Sequence, residues 1–133
     1  QLEAAKSELG DLLYRRAGHI VDEVERVRTV ESVLQSEDLA AVGACLFESH
    51  ESSRSQFENS TPELDFLVNQ LREQPSVYGA RLTGGGFGGA VMALTGPEFG
   101  EAQAAQVAQA YENAFGLAPS IFSTRAGDGA RLL

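Results

Sequence analysis

The densest chemical signal is a run of glycine. Gly79, Gly84, Gly85, Gly86, Gly88 and Gly89 are six of the 14 glycines in the 133-residue chain. Glycine in or beside a strand costs about 0.5–1 kcal/mol relative to alanine, so such a cluster needs a physical reason. Either the backbone takes conformations closed to other residues, or another group approaches it closely. Successive N–H groups in such a loop can form an anion-binding concavity. Three phosphate patterns can be tested against it. A Walker A loop needs Gly-Lys-Ser/Thr, and Gly89 is followed by Ala90-Val91. Gly84, Gly86 and Gly89 spell G-x-G-x-x-G, but a dinucleotide site then needs a helix, and Ala90 to Leu94 is strand-like. Extension to Val91 gives the protein-kinase hairpin pattern, yet no lysine follows Lys6, and neither H-R-D nor D-F-G occurs. Two readings stay open: a tight hairpin that lets elements pack closely, or a phosphate-proximal loop. Arg81 leads into the loop and is placed to orient an anion or to brace the hairpin.

The remaining candidates read as structural. His19 and His50 are the only histidines, too few for a histidine-rich metal site, and no H-E-x-x-H occurs. His50 lies four residues after Leu46, near the expected buried face of its helix, and reads as a hydrogen-bonded structural histidine. His19 follows Arg15-Arg16 and precedes Asp22-Glu23, so a solvated charge face is expected. Asp22, Glu23 and Glu25 point in several directions on a helix and read as surface charge. Ser49, Ser52, Ser53 and Ser55 surround His50, but no G-x-S-x-G elbow supports a hydrolase. Ser49-His50-Glu51 fails as a triad because adjacent helical residues do not face each other. Cys45 shares a face with Val42 and Leu46 and is expected in the core. Arg54, Arg72 and Arg125 read as solubilising charges.

These residues must be held by a scaffold whose period changes near Pro75. Before it the pattern is helical. Ile20, Val24, Val27 and Leu34 form one apolar stripe, expected to face the core. Ser36 is a plausible N-cap for a helix that places Leu39, Val42 and Leu46 on one face. Thr61-Pro62-Glu63 reads as a helix start, with Leu64, Leu67, Val68 and Leu71 following at helical spacing. After Pro75, Val77 to Thr83 and Ala90 to Thr95 read as strands flanking the glycine loop. Pro97 is expected to open a further helix, which ends at Gly116. Ile121 to Thr124 is a third strand candidate. The order predicts an α+β fold, with helices packed on a small, mainly antiparallel sheet. Three strands make a thin sheet, so a further strand is expected from elsewhere, upstream of Gln1.

Composition sets bounds. Residues 1–133 make one domain by length. Ten Lys+Arg against nineteen Asp+Glu give a net charge of -9, which argues against nucleic acid as a partner. No basic run or spanning apolar segment points to a membrane. One cysteine excludes an internal disulfide framework and a Cys-rich zinc site. With no apolar leader in Gln1 to Gly10, a cytoplasmic location is expected. A chain that begins with Gln1 rather than Met is expected to be a segment of a longer protein.

Several motifs together resemble a known family. Val77-Tyr78-Gly79-Ala80-Arg81-Leu82-Thr83-Gly84-Gly85-Gly86-Phe87-Gly88-Gly89 resembles the third motif of galactokinases, within the GHMP sugar and metabolite kinase superfamily. Tyr14-Arg15-Arg16-Ala17-Gly18-His19 is similar to that family's Arg-Arg-Ala-x-His helix. Glu48-Ser49-His50, with Arg54 and Phe57, resembles its Glu-Ser-His segment. Pro62-Glu63-Leu64-Asp65 matches its Pro-Glu-Leu-Asp helix start, and Asp128-Gly129-Ala130 resembles its C-terminal ending. Thr61 and Ala90 stand where the family commonly has cysteine. The resemblance covers only the C-terminal part of the family. It implies a ferredoxin-like C-terminal GHMP-kinase domain whose partner is its own N-terminal kinase domain, absent here with its sugar signature, phosphate loop and catalytic aspartate. It implies that Thr83, Gly84, Gly85, Gly86, Phe87, Gly88 and Gly89 lie near the substrate and ATP, with Arg81 a weaker candidate. No catalytic or metal-ligating residue is expected in this segment. The parent is implied to transfer the γ-phosphoryl group of ATP, with Mg²⁺, to the C1 hydroxyl of galactose or a related sugar. The segment alone is expected to bind neither cofactor and to be inactive. A non-catalytic sugar sensor, or a regulatory or oligomerisation module of the same fold, is the alternative.

Overall fold

The computed structural model describes residues 2–129; Gln1 and the Ala130 of the Asp128-Gly129-Ala130 ending lie outside them. A short 3₁₀ turn, Glu3–Ala5, leads into α1, Lys6–Leu34, which is interrupted at Gly10. Then come α2, Leu39–Ser52, and a π-helical turn, Ser53–Phe57. Helix α3, Pro62–Arg72, precedes strands β1, Val77–Thr83, and β2, Ala90–Thr95, and α4 spans Glu101–Phe115. The α+β class is as expected. The strands pair antiparallel, from Val77↔Thr95 to Thr83↔Ala90, with an irregularity between Val77 and Gly79.

The core forms where period and burial agree. Thr61 caps α3, its hydroxyl accepting from the Leu64 N–H, and Pro62 takes the first turn. Leu64, Val68 and Leu71 are buried on one α3 face. Val68 and Leu71 meet Ala80 of β1 and Val107 of α4, with Phe47, Val91 and Phe99 packed around them. Beside them Phe66 stacks edge-on against Phe115, ring centres 5.4 Å apart.

Helix α2 lies directly on β1. A Cβ on Gly43 would sit 1.9 Å from the Tyr78 carbonyl oxygen, and one on Gly79 2.1 Å from that of Gly43. Neither position tolerates a side chain, so Gly79 is a close-packing glycine. His50 then caps the β1 backbone: the Leu82 N–H donates to its Nδ1 at 3.2 Å. A polar strand group that β2 does not take is thus satisfied by a side chain of α2.

Several expectations need correction. The α1 stripe has helical spacing but does not enter the core: Ile20, Val24, Val27 and Leu34 are each at least half exposed. The face of α1 toward α2 is instead polar, with His19 buried and Glu23 and Arg26 largely so. The α2 cap is Asp38, whose carboxylate accepts from the Ala41 N–H at 2.9 Å; the Ser36 hydroxyl donates back to Val33 and helps close α1. Helix α4 opens at Glu101 rather than Pro97. The Phe99 N–H turns back to the Gly96 carbonyl, and the extended Gly100 precedes the helix, its N–H donating to the Gln103 side chain. The end at Gly116 is as expected, in the left-handed conformation. Ile121 to Thr124 forms no strand. Ile121 and Phe122 are exposed, and a strand needs a neighbouring backbone to complete its hydrogen bonds. The sheet among the described residues therefore has two strands, half of what a ferredoxin-like sheet needs.

Candidate functional site

The hairpin between β1 and β2 is built on unusual backbone. Gly84, Gly86, Phe87, Gly88 and Gly89 all have positive φ. Gly86 is fixed twice over: its φ is +80°, and a Cβ there would lie 2.2 Å from the Asn59 carbonyl oxygen. Gly85 is the opposite case, with no positive φ and, its chain neighbours apart, none of the described residues within 4 Å of its missing Cβ. The Cβ positions of Gly84, Gly88 and Gly89 are equally open, and the Phe87 ring is 77% exposed. The loop therefore presents a bare backbone surface, anchored from behind.

The anchor is Asn59, which the sequence reading passed over. Its side-chain amide donates to the Gly85 carbonyl at 3.1 Å, and its own carbonyl accepts from the Phe87 N–H at 2.6 Å. The only sequence cue was the turn-forming composition of Glu58-Asn59-Ser60-Thr61. Glu58 is left-handed, with φ 59°, and Arg15 and Arg16 of α1 grip its carboxylate at 2.7 and 2.5 Å. The two arginines of the Arg-Arg-Ala-x-His motif thus act on this turn.

His50 joins three elements. Its Nδ1 accepts from Leu82, so its proton sits on Nε2, which donates to the Asp65 carboxylate at 3.1 Å. Asp65 also accepts from the Ser60 hydroxyl at 2.6 Å. Burial pushes the His50 pKa below the ordinary histidine value, against the upward pull of Asp65. The arrangement requires the neutral ring, so His50 is the structural histidine expected from its spacing. The Glu-Ser-His and Pro-Glu-Leu-Asp motifs meet in this contact.

His19 and Glu23 correct the solvated-face reading. His19 is buried, its Nδ1 2.8 Å from the Ser52 hydroxyl and its ring against Phe57. Burial lowers its pKa as well. Glu23 collects Arg26, the Ser49 hydroxyl at 2.6 Å and Arg81 at 3.2 Å. Arg81 also donates to the Leu82 carbonyl at 3.0 Å, so its guanidinium braces β1 against α1. Asp22 and Glu25 are exposed. Ser49 and Ser52 are spent on these contacts and approach no catalytic arrangement with His50. Cys45 is buried, and burial raises its thiol pKa. Arg54 pairs with Glu51 at the surface, and Arg72 lies over the Phe47 ring at 4.4 Å. Among the described residues no three His, Cys, Asp or Glu side chains gather in a metal-binding group, and no helix is long and apolar enough to cross a membrane.

Comparison with known proteins bears on the family and the fold. Residues 30–116 match the family described as GHMP kinases C terminal. The chain is 39% identical over 134 residues to human galactokinase and 38% identical over 134 residues to the bovine protein, covering all of this chain and 33% of each relative. It is 39% identical to a galactokinase of Roseiflexus, over 97% of this chain and 33% of that relative. In structure it is similar to Lactococcus lactis galactokinase crystallised with galactose, with a TM-score of 0.82 and 34% identity. That superposition covers 88% of this chain and 30% of the neighbour. The chain spans about a third of the length of the relatives it matches.

Proposed function

This chain belongs to the GHMP kinase C-terminal family, and from that premise we propose that it is the C-terminal part of a galactokinase-like sugar kinase. The parent would transfer the ATP γ-phosphoryl group to the C1 hydroxyl of galactose or a close relative. Residues Thr83 to Gly89 would form one wall beside the sugar and the phosphates. The observation that carries this reading is Gly85. Among the described residues, none beyond its chain neighbours lies within 4 Å of its missing side chain, and a neighbour from outside the chain would supply the reason. The open Cβ positions of Gly84, Gly88 and Gly89 leave backbone that suits an approaching anion.

ATP with Mg²⁺ would supply the transferable phosphoryl group and neutralise its charge. The donor set of this chain fits a supporting role toward them. Thr83 to Gly89 carries no carboxylate, and no metal-binding cluster forms among the described residues. The metal would be held by phosphates and by residues outside this chain. The loop has no side chain that ionises near neutral pH to act as a general acid or base, since Thr83 carries a hydroxyl and Phe87 a hydrocarbon ring. Its contribution would be position and backbone dipoles. Arg81, engaged by Glu23, would act by bracing β1.

The rest of the parent would also cover α1. Leu13, Ile20, Val24, Val27 and Leu34 form a half-exposed apolar stripe along the helix. A surface of that kind marks an interaction face. Relatives three times as long leave ample chain to bury it.

The test is ATP-dependent phosphorylation of galactose by the full-length parent, with residues 1–133 as the control. Turnover by the parent alone is expected. Failure on galactose and on a panel of related sugars would leave a sensor that kept the fold without the chemistry.

A further inference from the structure

We propose that Asn59 positions the glycine loop, and that Arg15, Arg16 and Glu58 form the strut that holds Asn59 there. The effect on turnover rests on the loop lying beside the reacting phosphates, as proposed above. The effect on the loop does not.

One residue from outside the hairpin touches three consecutive loop residues. The Asn59 side chain holds the Gly85 carbonyl, its backbone carbonyl holds the Phe87 N–H, and that same oxygen fills the space a Gly86 side chain would need. The clasp is buried, with Asn59 only 7% exposed. It is also costly. The Asn59 Oδ1 is buried without a hydrogen-bond partner, a loss that an apolar residue of similar size would avoid. Packing alone therefore favours leucine at this position. The amide is accounted for by its Nδ2 bond to Gly85, which is the bond that sets the bare face of the loop.

The strut explains how Asn59 reaches the loop. Helix α2 ends in the π-helical turn Ser53–Phe57, and Glu58 then turns left-handed, a conformation that disfavours a residue with a side chain. Two arginines compensate. Each grips one Glu58 carboxylate oxygen, and each also donates to a carbonyl of the turn, Arg15 to Ser55 at 3.2 Å and Arg16 to Gln56 at 3.0 Å. Helix α1 is thereby tied to the far side of the loop through Glu58 and Asn59. Glu58 and Asn59 are positioning residues; neither is placed at the reacting atoms.

The experiment compares Asn59→Leu and Asn59→Asp with wild type in the full-length parent. Leucine removes the orphaned oxygen together with the donor. Aspartate keeps the shape, replaces the donor by an acceptor and brings a negative charge into the buried clasp. Amide hydrogen exchange is read separately over residues 84–89 and over β1, alongside thermal unfolding and steady-state kinetics. Both variants should speed exchange of the loop with β1 unchanged, Asn59→Leu by roughly fivefold, about the worth of one hydrogen bond, and Asn59→Asp by more because of its buried charge. Asn59→Leu should keep or raise the unfolding temperature while lowering kcat by about tenfold through a misplaced loop, with sugar KM little altered. Unchanged loop exchange in either folded variant would overturn the proposal. So would exchange that rises equally in β1, which is what a purely structural role gives. A looser loop with unchanged kcat would overturn the catalytic consequence. A wild-type parent without kinase activity would remove the function proposed above, and the exchange measurement would still decide the clasp.

Discussion

Helices α1 and α3 are both amphipathic by spacing, and they are packed opposite ways round. Helix α3 buries Leu64, Val68 and Leu71 and shows Glu63 and Arg72 to water. Helix α1 turns His19, Glu23 and Arg26 toward α2 and leaves Ile20, Val24 and Val27 at least half exposed. Hydrophobic period reports a helix and the width of its apolar face; it carries no information about which neighbour that face meets. In α3 the neighbour is the sheet of this chain. In α1 the inner contact is a network of ion pairs and hydrogen bonds, and the apolar stripe is the outer surface. On the function proposed above, a helix bonded inward through polar groups while exposing hydrocarbon would connect this chain to the rest of its parent.

That contrast can be broken or sharpened by substitution. The largest effect is expected where α2 crosses β1. Gly43→Val would drive carbon into the Tyr78 carbonyl, and loss of more than about 4 kcal/mol is expected, read as failure to give folded parent protein. Next is the inner core. Leu82→Ala should cost about 2–5 kcal/mol in chemical denaturation of the parent, because Leu82 is almost fully buried within this chain. The outer α1 face separates the two regions. Ile20→Ser with Val24→Ser should cost the parent on the order of 2 kcal/mol, and the isolated segment less than about 0.5 kcal/mol. Equal sensitivity in both would refute the connector reading.

Acid should act on the polar inner seam. His19 and His50 both have folded-state pKa values lowered by burial, so the unfolded chain binds protons first as pH falls. Their stabilisation is complete above the ordinary value near 6.5 and is lost as pH drops below it toward the folded values. The denaturation midpoint of the parent should therefore decline between about pH 7 and pH 5, above the range in which the paired glutamates titrate. A flat midpoint across that window would contradict the neutral, buried rings. The smallest effect belongs to the surface: Arg54→Ala should change stability by less than about 0.5 kcal/mol, since its pair with Glu51 is half exposed.

Legibility followed how local each signal was. Strands β1 and β2, the Thr61-Pro62 helix start and the Gly116 helix end can be read from the sequence to the residue, because turn chemistry and capping are decided within a few positions. The Ser36 and Pro97 starts failed because competing local bonds, from Asp38 and around Gly100, lie two or three residues further on. The Ile121 to Thr124 strand failed because pairing depends on a remote backbone. Of the two readings of the glycine run, the close-packing one is met at Gly79 and Gly86, while a Cβ on Gly85 would meet none of the described residues beyond its chain neighbours. Asn59 was invisible, since a turn residue acquires its role only when Gly85 and Phe87 arrive from 26 and 28 positions away. The buried His19 and the largely buried Glu23 were equally hidden, because a polar inward face looks in sequence like a solvated one.

The central claim is that the bare face of the glycine loop belongs to a group from outside this chain. Gly85→Val in the full-length parent tests it most directly. The position has no positive φ and no neighbour within 4 Å, so the folded structure should accept the side chain and the unfolding temperature should stay at the wild-type value. ATP-dependent phosphorylation of galactose should fall by at least about tenfold, because a few misplaced ångströms at a reacting centre are costly. Wild-type turnover in a stable Gly85→Val parent would contradict the account.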